Sequence, residues 1–256
     1  MQIISIANQK GGVGKSTTAL ALSAALSKKN YKVLLVDLDP QGNLSESIII
    51  KNKARSNIIE VLRDSTSPSN INFSIINNCI STAQYCDIIL STPSLIGADT
   101  TITQIGKEQR LKEALAKITT KYDYCLIDTP PALNILNVNA FAATNKIIIP
   151  AQADLYSLQG IFQLYSTIEM VRKYCNPSLD ILGILLTRYN ARSIITKSMT
   201  QNMQEMAKAI GTKLLNTKIR ECTAIKEAQA LKQSIFDYSP NCNASKDYNT
   251  LIEEIL

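Results

Sequence analysis

Residues 10 to 17 read Lys10-Gly11-Gly12-Val13-Gly14-Lys15-Ser16-Thr17, a block of three glycines, two lysines and two hydroxyls. It follows the apolar stretch Ile3-Ile4-Ser5-Ile6-Ala7 and precedes the helix-forming run Ala19-Leu20-Ala21-Leu22. A buried strand that ends in a glycine-rich turn and continues as a helix aims backbone N–H groups and a positive helix end at one point. A phosphate chain can be wrapped there. Glycine is needed because side chains would block the approach and because such a turn uses backbone angles open mainly to glycine. In this reading Lys15 reaches the terminal phosphates and Ser16 ligates Mg²⁺. The ordinary pattern G-x-x-x-x-G-K-[ST] is not met, since its first glycine position holds Gln9, and a second lysine, Lys10, stands at the front of the loop. The chemistry implied is nucleotide binding by a deviant phosphate loop.

Two acidic blocks extend that chemistry. The first is Asp37-Leu38-Asp39-Pro40-Gln41-Gly42-Asn43, after a second apolar run, and the second is Leu126-Ile127-Asp128-Thr129-Pro130-Pro131. Strand C-termini carry the site in a parallel sheet, so these carboxylates belong beside the phosphate loop. Period-two spacing puts Asp37 and Asp39 on one side if the strand persists that far. A carboxylate there can hold a metal-bound water or align the attacking one. Asp128, following an apolar run, suits a Walker B acid that binds Mg²⁺.

The elements that must position these residues are those of an α/β protein with a doubly wound, mostly parallel sheet, because strand-like runs alternate with amphipathic stretches. Strands are predicted over 2–7, 32–37, 87–90, 124–128, 146–150, 181–187 and 213–216. Helices are predicted over 107–119, 155–174, 196–210 and 245–255. In the first of these helices Leu111, Ala114, Leu115 and Ile118 share one face. Residues 65–70 read as a loop, and the 256 residues as one domain, 1–256, long enough to bury a proper core. No apolar run approaches a membrane span, and the N-terminus enters the first strand without the pattern of a signal peptide. Histidine is absent, which excludes His-based acid–base catalysis and a His-ligated zinc. Six scattered cysteines without a C-x-x-C read as reduced thiols. Aromatic residues make up only 5%, too few for recognition by base stacking. The net charge of +6 is concentrated. Between Arg188 and Lys226 lie eight basic residues (Arg188, Arg192, Lys197, Lys208, Lys213, Lys218, Arg220 and Lys226) against Glu205 and Glu221. Such a segment suits a polyanion.

With these motifs the chain resembles the ParA/Soj family of deviant Walker A ATPases, within the MinD-like superfamily, which partition plasmids and bacterial chromosomes. The likeness runs nearly end to end. It covers Asn8–Thr17, Asp37–Asn43, Asp128–Pro131, Ile148–Pro150 with Ser157-Leu158-Gln159-Gly160, Thr187–Arg192, Glu227-Ala228-Gln229 and Phe236-Asp237-Tyr238. The resemblance implies ATP with Mg²⁺, sandwiched between two subunits. The loop Gly11, Gly12, Val13, Gly14, Lys15, Ser16 and Thr17 would hold the nucleotide, with Thr17 at the α-phosphate. Lys15 would act within its own subunit and Lys10 would reach the partner's phosphates, much as an arginine finger does. Asp39 would position the attacking water, and Ser16, Asp37 and Asp128 would organise the metal. Where many relatives frame the adenine with a methionine and a Pro-Arg-Asn turn, this chain has Arg188 and Arg220-Glu221-Cys222.

The same resemblance implies a homodimer on ATP binding, non-specific double-stranded DNA as a partner, and a ParB-like centromere-binding protein that stimulates hydrolysis. Arg192, Lys197, Lys208 and Lys226 are the candidate DNA contacts, made mostly to phosphates. The expected location is cytoplasmic and nucleoid-associated, with no membrane partner. The alternative on this fold is a MinD-like membrane-cycling ATPase. It would need a basic amphipathic C-terminal helix, whereas residues 247–256 are acidic. An iron–sulfur carrier would need paired cluster cysteines, and a small-molecule ligase is a more distant option.

Overall fold

The computed structural model describes residues 1–63 and 73–256. Among them the strands are β1 (Gln2–Ile6), β2 (Val33–Asp37), β3 (Ile50–Asn52), β4 (Ile80–Ala83), β5 (Asp87–Ile89), β6 (Tyr124–Asp128), β7 (Lys146–Ala151), β8 (Asp180–Tyr189) and β9 (Leu214–Arg220). The helices are α1 (Lys15–Lys28), α2 (Asn43–Glu46), α3 (Ile58–Arg63), α4 (Phe73–Asn78), α5 (Ala98–Thr101), α6 (Arg110–Leu115), α7 (Ile135–Ala143), α8 (Leu155–Tyr174), α9 (Ile194–Ala209), α10 (Thr223–Ala230), α11 (Ile235–Tyr238) and α12 (Asn243–Ile255).

The strands form one sheet in the order β3-β4-β5-β2-β6-β1-β7-β8-β9. Pairing is parallel from β5 to β9 and antiparallel at β3–β4 and β4–β5. Central strands are apolar on both faces because each face is covered by helices. In β2, Leu34 and Val36 enter one core with Ile58, Leu111, Phe141 and Leu164. Val33 and Leu35 enter the other, with Leu22, Phe236, Tyr248 and Leu251. Helices α3, α6, α7, α8 and α9 therefore cover one face, and α1, α10, α11 and α12 the other.

The doubly wound parallel architecture matches the sequence reading, and α8 has the expected bounds. Several details differ, and helices such as α7 and α10 went unread. The stretch expected as one helix over 107–119 is a 3-10 turn, Lys107–Gln109, leading into the short α6. The last strand runs on to Arg220, which carries the chain to the mouth of the site. Strands β3 and β4 went unread because they are short and partly exposed at the antiparallel edge. The loop expected over 65–70 lies outside the described residues.

Close packing of β8 on β9 depends on Gly183. A Cβ there would lie 2.8 Å from Cγ and Cδ2 of Leu215 and 3.1 Å from the Lys213 carbonyl oxygen. Gly183→Ala should therefore destabilise by about 1–3 kcal/mol through overpacking. Urea unfolding should show a lower midpoint with an unchanged slope; an unchanged midpoint would mean the two strands separate freely.

Candidate active site

The β1–α1 loop lies over the C-terminal edge of the parallel strands, where open α/β sheets form their crevice. Gly12 and Gly14 adopt φ of 73° and 89°, which glycine alone enters without strain. Gly14 caps α1, and no side chain caps its first N–H groups. Those donors and the positive end of a 14-residue helix are thus left for an anion. Other elements brace the loop. Asn8 Nδ2 donates to the Pro150 carbonyl at 2.6 Å, while its Oδ1 accepts from Lys10 N at 2.9 Å. Thr187 Oγ1, on β8, donates to the Val13 carbonyl at 2.8 Å, and Gln152 Nε2 donates to that of Gly12 at 3.3 Å. Gln229 Nε2, on α10, donates to Thr17 Oγ1 at 3.1 Å.

Over the loop opens a cavity of about 540 Å³, within the usual range for a small-molecule site. Residues 11–17 line it together with Asp39, Gln41, Thr187, Arg188 and the β9–α10 turn, Arg220-Glu221-Cys222. Arg188 holds φ of 47°, a strained left-handed conformation for a side-chain-bearing residue, at an irregularity in the β8–β9 register.

The two lysines have different environments. Lys15 is 7% exposed. Burial lowers its ammonium below the ordinary value, opposed by Asp128 and Asp39. Lys10 sits at the rim, half-buried, with Nζ 2.6 Å from Asp154 Oδ2 at the N-cap of α8. That ion pair, together with Asn8, Thr187, Gln152 and Gln229, was not assigned from sequence. These contacts join positions far apart along the chain, and the resemblance blocks that include Asn8, Thr187 and Gln229 gave them no role.

Asp37 and Asp128 are register partners at the ends of β2 and β6, and both are fully buried. Asp37 Oδ2 accepts from Ser45 N at 2.8 Å and Ser45 Oγ at 2.7 Å, and its Oδ1 accepts from Asp39 N at 3.1 Å. Burial nonetheless pushes its carboxyl up to about 6. Asp37, expected at the metal, thus spends its hydrogen-bonding capacity on holding the loop that presents Asp39. Neither oxygen of Asp128 has a well-formed hydrogen-bond partner among the described residues. Burial, and then Asp37, push its carboxyl up to about 8, against the pull of Ser16 and Lys15. A buried carboxylate without a partner costs free energy unless a ligand supplies one. Among the described residues no cluster of His, Cys, Asp and Glu forms a metal cage by itself. The donor set fits Mg²⁺, which takes one or two carboxylates and completes its shell with water and substrate phosphate. Ser16 and Asp128 are the residues that would hold it.

The remaining expected residues divide. Arg220 lines the cavity, but its guanidinium is committed to Asp247 on α12, with Nη2 to Oδ1 at 2.6 Å and Nε to Oδ2 at 3.0 Å. Lys226, grouped by charge with the DNA set, lines the nucleotide cavity. Lys197 and Lys208 line a separate shallow groove on α9, and Arg192 is exposed just before that helix. The basic segment is therefore two surfaces, not one.

This fold and loop define a P-loop ATPase of the deviant Walker A class. A family model described as an AAA domain matches residues 1–181. The sporulation initiation inhibitor protein Soj of Bacillus subtilis is 36% identical over 256 residues, covering 99% of this chain and 98% of its own length. A structure of cobyrinic acid a,c-diamide synthase from Mycobacterium smegmatis, with bound ATP analogue and magnesium, superposes with a TM-score of 0.82 at 28% identity. It covers 99% of this chain and 93% of that one. A plasmid partition protein of Borrelia burgdorferi bound to AMPPNP superposes with a TM-score of 0.79 at 26% identity, covering 98% and 97%. The chain belongs to the ParA/Soj family of partition ATPases.

The raised ionisation of Asp128 gives a test that needs no ligand. The unfolded chain releases this proton near 3.8, whereas the folded protein holds it to about 8. Stability from this group therefore falls as pH rises through that window. Asp128→Asn should raise the melting temperature of nucleotide-free protein at pH 8 by about 2–4 °C, the scale of about 1 kcal/mol. The advantage should shrink at lower pH; one that is the same at pH 5.5 and pH 8 would contradict the raised value.

Proposed function

We propose that this partition ATPase is an ATP-gated DNA switch built on a single domain, residues 1–256, which pairs on ATP, coats DNA without sequence preference and leaves it on hydrolysis. The chain hydrolyses ATP with Mg²⁺ as cofactor. The observation that carries the reading is the division of labour between two lysines of one loop. Lys15 is buried under its own phosphate site, while Lys10 stands at the rim, tied to Asp154.

The residues act in sequence from the floor of the site outward. Backbone N–H groups of residues 11–17 and the α1 terminus cradle the phosphates, and Lys15 neutralises the terminal ones. Ser16 and Asp128 hold Mg²⁺, which when bound screens the charge on the phosphate oxygens. Asp39 lines the cavity, and its Oδ1 accepts from Gln41 N at 3.0 Å. Its carboxylate orients the attacking water. Thr17, steadied by Gln229, meets the α-phosphate. Lys10 must leave Asp154 to reach the phosphates of a second subunit, where it opposes charge developing in the transition state. Hydrolysis is slow until a ParB-like centromere-binding protein completes the water site.

DNA contact falls to Arg192, Lys197 and Lys208, which are exposed on or beside α9, and the nucleoid is the expected place of work. A membrane-cycling role is less well supported. No helix among the described residues is long and apolar enough to cross a membrane. In α12 the apolar residues Ala244, Tyr248, Leu251 and Ile252 are buried in the core, leaving no apolar face for lipid.

Lys15→Ala should weaken binding of a fluorescent ATP analogue by at least about tenfold, the loss of a charge-assisted hydrogen bond. Lys10→Ala should keep the affinity but lose dimer formation and turnover, read by light scattering and phosphate release. Equal losses of affinity in the two variants would remove the trans role of Lys10. Arg192→Ala removes two phosphate contacts per dimer. In a salt titration on two unrelated duplexes with ATP, it should flatten the slope of log affinity against log salt by about 1.8. Coincident slopes would take Arg192 off the DNA surface.

A further inference from the structure

Asp39 is held from three sides. Its backbone N–H donates to Asp37 Oδ1 at 3.1 Å, and its own Oδ1 accepts from Gln41 N at 3.0 Å. Its carbonyl oxygen accepts from Gly42 N at 2.9 Å and from Ser91 Oγ at 2.5 Å. Ser91 follows β5 and so comes from a distant part of the chain. These bonds close on themselves. Asp37 Oδ2 accepts from the N–H and the hydroxyl of Ser45, at 2.8 and 2.7 Å, and Ser45 Oγ accepts from Ser91 N at 2.9 Å. The path Asp39–Asp37–Ser45–Ser91–Asp39 is thus a ring of hydrogen bonds joining the end of β2, the helix α2 and the segment after β5. Both hydroxyls are committed. That of Ser45 donates and accepts at once, and that of Ser91 donates to the peptide it fixes. A Cβ built on Gly42 would lie 3.9 Å from Ser91 Cβ, so Ser91 also packs against the turn that follows Asp39. Asp39 lines the nucleotide cavity, whereas neither serine is among the described residues that line it.

We propose that Ser91, with Ser45 behind it, is a positioning residue for ATP hydrolysis that acts through Asp39. The inference rests on the reading of Asp39 as the carboxylate that orients the attacking water. A group that aims a water must itself be held to within about 0.5 Å, by neighbours whose own positions are locked. The sheet does not supply that hold, because β2 ends at Asp37, two residues earlier. The ring supplies it instead, fixing the peptide groups on both sides of Asp39 while Gln41 N fixes one carboxylate oxygen. Without the Ser91 hydroxyl, the Asp39 carbonyl keeps the Gly42 bond within its own turn. The direct tie between that turn and the segment after β5 is lost. The grip on the phosphates is built elsewhere, from residues 11–17, so the loss falls on turnover and not on affinity.

The test compares Ser91→Ala, Asp39→Ala and the double variant with wild type. Phosphate release from ATP with Mg²⁺, with the protein in excess, gives the rate of a single turnover, and a fluorescent ATP analogue gives the affinity. Ser91→Ala should hydrolyse about tenfold more slowly, the scale of a carboxylate displaced by a fraction of an ångström. Its affinity for the analogue should stay within about twofold of wild type. Ser45→Ala, which opens the ring at the other hydroxyl, should show the same split. The double variant decides between positioning and mere support. With the Asp39 carboxylate gone the serine has nothing to aim, so Ser91→Ala should slow Asp39→Ala no further. A hydroxyl that only supported the fold would slow both backgrounds alike. Unchanged turnover in Ser91→Ala, equal losses of rate and affinity, or a further loss in the double variant would each overturn the proposal. Wild-type turnover in Asp39→Ala would instead overturn the reading of Asp39 on which it rests.

Discussion

The pair Asp37 and Asp128 is the constraint around which the rest of the site is arranged. Parallel register sets the two carboxylates side by side at the ends of neighbouring strands, both out of reach of water. Asp37 is compensated within the protein, by Ser45 and the backbone of Asp39. Among the described residues, neither oxygen of Asp128 has a comparable hydrogen-bond partner. Replacing such a group with a neutral one would favour the fold, so its presence argues for a bound cation that supplies the missing partner. Lys15 is the nearest thing to an internal counter-charge, yet its own burial weakens it as one, and it stands where phosphates would sit.

From that pair the connections run outward in two directions. Through Asp37, the first turn beyond β2 is fixed, with Ser91 Oγ donating to the Asp39 carbonyl at 2.5 Å. Asp39, the carboxylate proposed to orient the water, is therefore held from behind by Ser91 and the Asp37–Ser45 bonds. Through the phosphate loop, Thr187 and Gln229 tie the site to β8 and α10, the same region that carries the turn Arg220-Glu221-Cys222 and leads into α9. A nucleotide that tightens the loop acts on elements already bonded to it. Lys10 lies at the outer limit of this network. Its ion pair with Asp154 is partly exposed and worth little, so the proposed exchange for a partner's phosphate would be inexpensive.

Much of this was legible because apolar runs that stop abruptly at Gly, Asp or Pro mark strand ends, and strand ends carry the site in parallel sheets. The loop 10–17, Asp39 and Asp128 lie at such stops, and the periodicity of 155–174 identified α8 with its bounds. The same logic misjudged 107–119, where Leu111, Ala114 and Leu115 share a buried face but the helix ends early, and it passed over β3 and β4, whose pairing is set by neighbours. Charge counting failed differently. The linear window from Arg188 to Lys226 added together residues that the fold separates, sending Arg220 to Asp247 and Lys226 to the cavity. Contacts such as Lys10–Asp154 and Thr187–Val13 join distant positions without a local signal. They belong to topology, which spacing alone does not encode.

The claim that Asp128 is kept for a cation shared with the nucleotide is tested most directly by the dependence of ATP-analogue affinity on Mg²⁺. The measurement is a pair of titrations at one pH, with Mg²⁺ and with a chelator, on wild type and on Asp128→Asn. The account predicts much tighter binding with Mg²⁺ in wild type and nearly equal affinities in the variant. A magnesium effect of the same size in both proteins would contradict it.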